Sequence, residues 1–265
     1  MHDDSLPPVD TLSLSLFAGD HKPSPTIDVQ NDYGTPNFLF FYFIPPVPDS
    51  KESELADLHA DFRSWISWEL SAAEDQLQKQ LKKGTLPNDD SIESRATRCS
   101  YRAKVVAYLR ENSEDAWLLH DSSPTPDKFS QAVKRADLNG AIRKAIRDHY
   151  LKSQPTGQLA VLLNIISGTV AGDPNSVHKF YLTTVHYNTA QDHRKTRVLS
   201  FTITQAPGNG DKDTIGLTID FLDFTIRLNM KQWDKYKGDA EDMIEAGNVI
   251  LKEMELDFFL AQKGD

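Results

Sequence analysis

A single cysteine, Cys99, occurs in 265 residues, which excludes a disulfide within the chain and a cysteine-rich metal site. Its helical spacing with Ala96, Ala103 and Val106 predicts a buried, inert thiol rather than a nucleophile. No apolar run is long enough for a membrane-spanning helix. The opening residues, MHDDSLPPVD, lack the basic stretch and apolar core of a secretory signal. The cytoplasm is therefore the expected compartment, with secretion by another route left open. Familiar catalytic signatures are also missing. There is no Gly-x-Ser-x-Gly elbow, no Walker loop and no Gly-x-Gly-x-x-Gly turn. An enzyme is not the leading expectation, and no cofactor is expected.

Positive charge is scarce as well. The formal net charge is -10, so a nucleic-acid partner is not expected. The bases that exist are concentrated. Residues 1–61 hold eleven acids and two bases, whereas residues 95–110 hold five bases and no acid. Residues 127–152 hold seven bases against three acids, and residues 239–257 return to seven acids and one Lys.

Hydrophobic periodicity divides the chain into helices followed by strands. Residues 1–10 and 18–36 are rich in Pro, Asp and Gly and read as extended lead-in segments, with a short strand at Leu12, Leu14 and Leu16 between them. Asn37–Ile44 is apolar at every position after Asn37 and reads as a strand covered on both faces. Asp49 with Glu52, and Asp90 with Glu93, resemble capping boxes opening two helices. The first helix carries Leu55, Leu58, Phe62, Trp65 and Ile66 on one face and stops at Gly84. The second carries Ile92, Ala96, Cys99, Ala103 and Val106. Helical spacing is read again at Phe129, Val133 and Ala136, with Pro126 in the first turn. It resumes at Leu138, Ile142, Ala145 and Ile146 after a bend at Asn139-Gly140, and a buried helix is expected over 157–167. Strands follow over 179–188 and around Leu199, Phe201 and Ile203. The last of these forms a hairpin with the strand after APGNGDKD, and a closing helix occupies 239–262. The expectation is a single α+β domain over 1–265: a mainly antiparallel sheet, built from N-terminal strands and a C-terminal meander, covered by several amphipathic helices.

The segment TIGLTIDFLDFTIRLNM slips in its alternation. Ile215, Leu217, Ile219 and Phe221 are apolar at odd positions; Leu222, Phe224, Ile226, Leu228 and Met230 are apolar at even ones. A β-bulge at Phe221-Leu222, or passage of the strand from one packing layer to another, accounts for this.

Three groups of residues carry candidate chemistry. Arg95, Arg98 and Arg102 fall within an arc of about 60° on their helix. With Arg143, Lys144 and Arg147 they form a basic helical layer suited to phosphates, carboxylates or an anionic membrane surface. Alternatively, these bases pair with acidic segments of the same chain. His178, His186 and His193 fall within sixteen residues; the first two share strand parity and the third lies in a loop able to fold back, the donor set of a zinc-like site. A His120-Asp121 pair, with His59, His149 and Asp148 on helices, has the residue types of a metal phosphohydrolase but no diagnostic spacing. The leading reading is a non-catalytic soluble protein that binds a protein partner or small anionic ligand through its basic helices. Two others stand beside it. One is a membrane-active, toxin-like protein whose helices shield a hairpin with small polar faces at Ser200, Thr202, Thr204 and Thr218. The other is a metal-assisted hydrolase.

Overall fold

The computed structural model describes residues 5–10, 34–35, 38–43, 52–112, 118–120, 125–150, 163–164, 166–171, 178–188, 193–207 and 213–260. The elements are β1 (Gly34–Thr35), β2 (Phe38–Phe43), α1 (Glu52–Lys82), α2 (Ile92–Asn112), β3 (Leu118–His120), β4 (Thr125–Lys134), α3 (Leu138–Tyr150), β5 (His178–Asn188), β6 (His193–Pro207), β7 (Thr214–Leu228), α4 (Met230–Tyr236) and α5 (Glu241–Leu260). This is an α+β fold. Hydrogen-bonded strand neighbours run β1-β2-β5-β6-β7-β3, with β4 also on β7. The expected strand at Leu12–Leu16 and the Asp49 cap lie outside the described residues.

The chain forms two compact units. The first comprises Met1–Ser123, Tyr181–Val198 and Phe224–Asp265; the second comprises Pro124–Phe180 and Leu199–Asp223.

The first unit is built on α1. From Trp65 to Glu74 every residue is buried, so this helix has no solvent face there. An all-apolar sequence would suit that position. Instead Ser67, Glu69, Ser71, Glu74, Gln76 and Gln80 are buried too, and each polar group needs a partner to offset its lost hydration. Ser67 Oγ donates to Asn248 Oδ1 at 2.7 Å. Gln76 brackets Asp10, accepting from its backbone N–H at 3.1 Å and donating to its carbonyl at 3.2 Å. The extended lead-in is thus tied to the core over residues 5–10. Leu6 joins the core, and Lys104 Nζ donates to the Leu6 carbonyl at 3.0 Å. Side chains, rather than regular structure, satisfy this backbone.

Helix α1 ends at Gly84, as expected. Gly84 has φ +70, a left-handed conformation that costs other residues more. The Thr85 and Gly84 N–H groups donate back to the Gln80 and Leu81 carbonyls at 3.1 and 3.0 Å, closing the helix in a Schellman arrangement. The second cap falls one residue later than the sequence suggested. Ser91, not Asp90, caps α2, its Oγ accepting from the Ser94 N–H at 3.2 Å. Ile92, placed on the apolar stripe, is 41% exposed, while Cys99, Ala103 and Val106 are buried.

In the second unit, one expectation is overturned. Residues 125–134 form strand β4, not a helix, in unbroken antiparallel register with β7 from Thr125 opposite Asp223 to Lys134 opposite Thr214. Phe129 and Val133 are four residues apart, an interval that repeats one helix face and also, being even, one strand face. Pairing with β7 decides between them. Pro126, read as a helix start, sits opposite Leu222 in a strand whose only described partner is β7, where a missing N–H is tolerated. The expected bend at Asn139-Gly140 falls earlier, in a 3-10 turn at Arg135–Asp137, and both residues belong to α3. Of the helix expected over 157–167, residues 163–164 and 166–167 are helical, as are 168–171, while 157–162 and 165 lie outside the described residues.

The slip in β7 has a structural counterpart. Ile215, Leu217, Ile219 and Phe221 are buried in the second unit, and Leu228 belongs to the core of the first. Register with β4 runs without interruption through Phe221 and Leu222, so no bulge separates them on that edge. By Ile226 the partner is β3, which pairs Leu118–His120 with Leu228–Ile226. The change of buried parity coincides with a change of strand partner, from β4 up to Asp223 to β3 from Ile226.

Candidate anion-binding face

The six candidate bases differ in exposure: Arg98 and Arg102 are buried, whereas Arg143, Lys144 and Arg147 are exposed. On α2, Arg102 is fully buried and donates from Nε and Nη2 to the two carboxylate oxygens of Glu74, the second bond at 3.2 Å. Arg98 is 6% exposed, and its Nη1 donates to the Pro87 and Asp89 carbonyls at 3.1 and 2.8 Å, pinning the loop before α2. Arg95 is half-buried, and its Nε is buried without a hydrogen-bond partner among the described residues. Arg110 on the same helix is a base that no pattern in the sequence singles out. It is fully buried against Glu69, with Nε to Oε1 at 2.8 Å and Nη2 to Oε2 at 2.6 Å, and its guanidinium lies 5.4 Å from the Trp65 ring centroid. Helices α1 and α2 therefore meet through two buried bidentate pairs.

The α3 bases have a different setting. Leu138, Ile142, Ala145 and Ile146 are buried. At about 100° per residue they cluster on one side of the helix, and Arg143, Lys144 and Arg147 point to the other. All three are exposed, and that outward arc contains no acid. Arg143 Nη1 donates to Asn164 Oδ1 at 3.0 Å, a neutral partner, and no acid pairs with it among the described residues. Arg147 lies 3.2 Å from Asp148, with both side chains about half exposed or more, so the pair is well solvated. Lys144 has no hydrogen-bond or ionic partner among the described residues. Exposed Lys134 and Arg135 precede the helix.

The last turn of α3 is clasped to the strands. His149 Nδ1 lies 2.5 Å from Asp127 Oδ2, and its ring stacks on Phe221 with centroids 4.7 Å apart and planes 16° from parallel. Asp127 and Phe221 are direct cross-strand neighbours, so one imidazole covers both. The Lys128 backbone N–H, donating at 2.7 Å, and secondarily His149 hold the Asp127 carboxyl below its ordinary value. A His–Asp pair can relay protons, but no Ser, Thr or Cys is hydrogen-bonded to His149 among the described residues.

Of the three candidate histidines, only His178 has a described side chain. His178 opens β5 in the second unit, is fully buried, and stacks with Phe180 at 6.5 Å between centroids. His186 on β5 and His193 on β6 belong to the first unit, and their side chains lie outside the described ones. His193 opens a strand instead of occupying a loop. No cluster of three potential metal ligands occurs among the described residues. His120 lies in β3 opposite Ile226. On β6 and β7, Thr202, Thr204 and Thr218 are half-buried while Ile203, Leu217 and Ile219 are fully buried, the pattern of a sheet with one packed face. No described helix is long and apolar enough to cross a membrane.

No protein-family model matches the chain, and no curated protein matches it. Among solved structures it is similar to that of the Evf virulence factor, with 10% sequence identity and a TM-score of 0.44 over 81% of this chain and 79% of that chain. A likeness of that size assigns neither fold nor function.

Proposed function

We propose that this protein binds an anionic partner or ligand through the outward face of α3. The observation that carries the reading is the arc of Arg143, Lys144 and Arg147, exposed opposite the buried Leu138, Ile142, Ala145 and Ile146. In a chain of net charge -10 such an arc is a local exception, and its field reaches only about 8 Å at physiological ionic strength. It acts at contact rather than by long-range steering. The bases of α2 contribute less to this reading, because Arg98 and Arg102 hold backbone and carboxylate oxygens of their own chain.

The test is retention on immobilised polyphosphate, a probe with dense negative charge and no other chemistry. Retention that weakens with added salt and drops in R143E/R147E supports the reading. Retention unchanged by that substitution removes it.

A further inference from the structure

We infer that the anionic partner of α3 is a phospholipid bilayer surface, met side-on by the helix; the inference rests on the reading above and narrows it. A site for one small anion needs convergent donors, such as a guanidinium fork aimed into a cavity with backbone N–H groups beside it. Arg143, Lys144 and Arg147 instead radiate from the convex side of a helix, each exposed, with Arg143 and Arg147 separated by about 6 Å along the axis. Divergent cations of that kind suit a planar array of mobile phosphates, which rearrange to meet them. Single-stranded nucleic acid fits less well. Gly140, Arg143, Lys144 and Arg147 hold no aromatic ring on which a base stacks, and the His149 ring is occupied by Phe221.

The apolar side of the helix defines the mode of docking. Leu138, Ile142, Ala145 and Ile146 are all buried, and His149 fastens the last turn to Asp127. With that side engaged, none of the large apolar side chains described on α3 is free to enter the acyl region. Attachment is therefore peripheral, electrostatic and reversible by salt, and it leaves the bilayer intact. Near an anionic membrane each base strengthens attachment about fivefold, so the three together are worth roughly a hundredfold.

Vesicle flotation of the full chain tests this, using vesicles with and without anionic phospholipid. The expected result is co-flotation with anionic vesicles alone, reversed by salt, without release of an entrapped dye. R143E/K144E/R147E is expected to lower partitioning about a hundredfold or more. The neutral R143Q/K144Q/R147Q guards against a folding defect, checked by circular dichroism. A charge-matched reversal at exposed Lys82, Lys83 and Lys231 is expected to retain most of the binding. Failure to float, together with base-dependent retention on polyphosphate or polyglutamate, overturns the bilayer and leaves the anionic reading standing; retention on polyglutamate points to an acidic protein. Failure on every probe removes both. Equal loss in the control reversal, or dye release by the wild type, also overturns the inference.

Discussion

The guanidinium of Arg110 and the carboxylate of Glu69 face each other through two parallel hydrogen bonds of 2.8 and 2.6 Å, with neither side chain exposed to solvent. Removing either member leaves a buried charge without its counter-ion. Glu69→Ala and Arg110→Met are each expected to cost roughly 3–5 kcal/mol. The double substitution to apolar residues is expected to cost less than the sum of the two, because no charge is stranded. Denaturant unfolding of the four proteins checks this, and additivity would contradict the pairing.

Close approach of α1 and α5 gives a second prediction. A Cβ on Gly247 would overlap the Ser67 carbonyl group, so any side chain there forces two backbones apart. Gly247→Ala is expected to destabilise by about 3 kcal/mol or more. Ser67→Ala cannot rescue it, because the clash is with main chain. In contrast, a Cβ at Gly140 in α3 meets nothing within 4 Å. Gly140→Ala is expected to gain roughly 0.5–1 kcal/mol from helix propensity.

Asp89 provides a pH prediction. The Ser91 hydroxyl first, then the Ser94 hydroxyl and the Ser91 N–H, hold its carboxyl down to about 2 from 3.8. Its folded-state value is lowered, so its stabilising effect is complete above about pH 4 and is lost as the pH falls toward 2. A pH titration followed by carboxyl-carbon NMR is expected to show the low value, and Ser94→Ala is expected to raise it. An unchanged titration in Ser94→Ala would remove the hydroxyl as a cause.

Arg95 supplies a prediction of opposite sign. Its buried Nε has no hydrogen-bond partner among the described residues, and an unsatisfied buried donor is costly. Arg95→Met preserves the aliphatic stem while removing that donor. It is expected to be neutral or stabilising by up to about 1 kcal/mol. A loss greater than that in thermal or denaturant unfolding would mean that the guanidinium makes a favourable contact.

At the C-terminal end of α3, His149→Phe retains a ring to stack on Phe221 and removes the bond to Asp127. The Asp127 carboxyl is expected to titrate higher in this variant but to stay below its ordinary value, since the Lys128 N–H is the larger cause of its lowering. Carboxyl NMR separates the two contributions, and no movement at all would sink the role given to His149.

Much of the architecture was readable from short-range pattern. The α1 stop at Gly84 follows from the freedom of one residue to adopt positive φ, and the buried side of α3 from the 3.6-residue repeat of Leu138, Ile142, Ala145 and Ile146. The slip in β7 was also visible, though its choice between bulge and layer change was not. That choice depends on which strand lies alongside, β4 up to Asp223 and β3 from Ile226. Phe129 and Val133 do not distinguish helix from strand, because an interval of four fits both periods.

Sequence alone determined where apolar and charged residues recur, because periodicity and capping are properties of neighbours along the chain. It could not determine which charges remain available. Glu74 and Arg102 are 28 residues apart, Glu69 and Arg110 are 41 apart, and neither member of a pair has a local signal naming the other. Only helix packing brought them together, burying two arginines against carboxylates and leaving those of α3 in water. The physical reason is that a buried ion must be paired, whereas a solvated one need not be, and burial is a property of the folded chain.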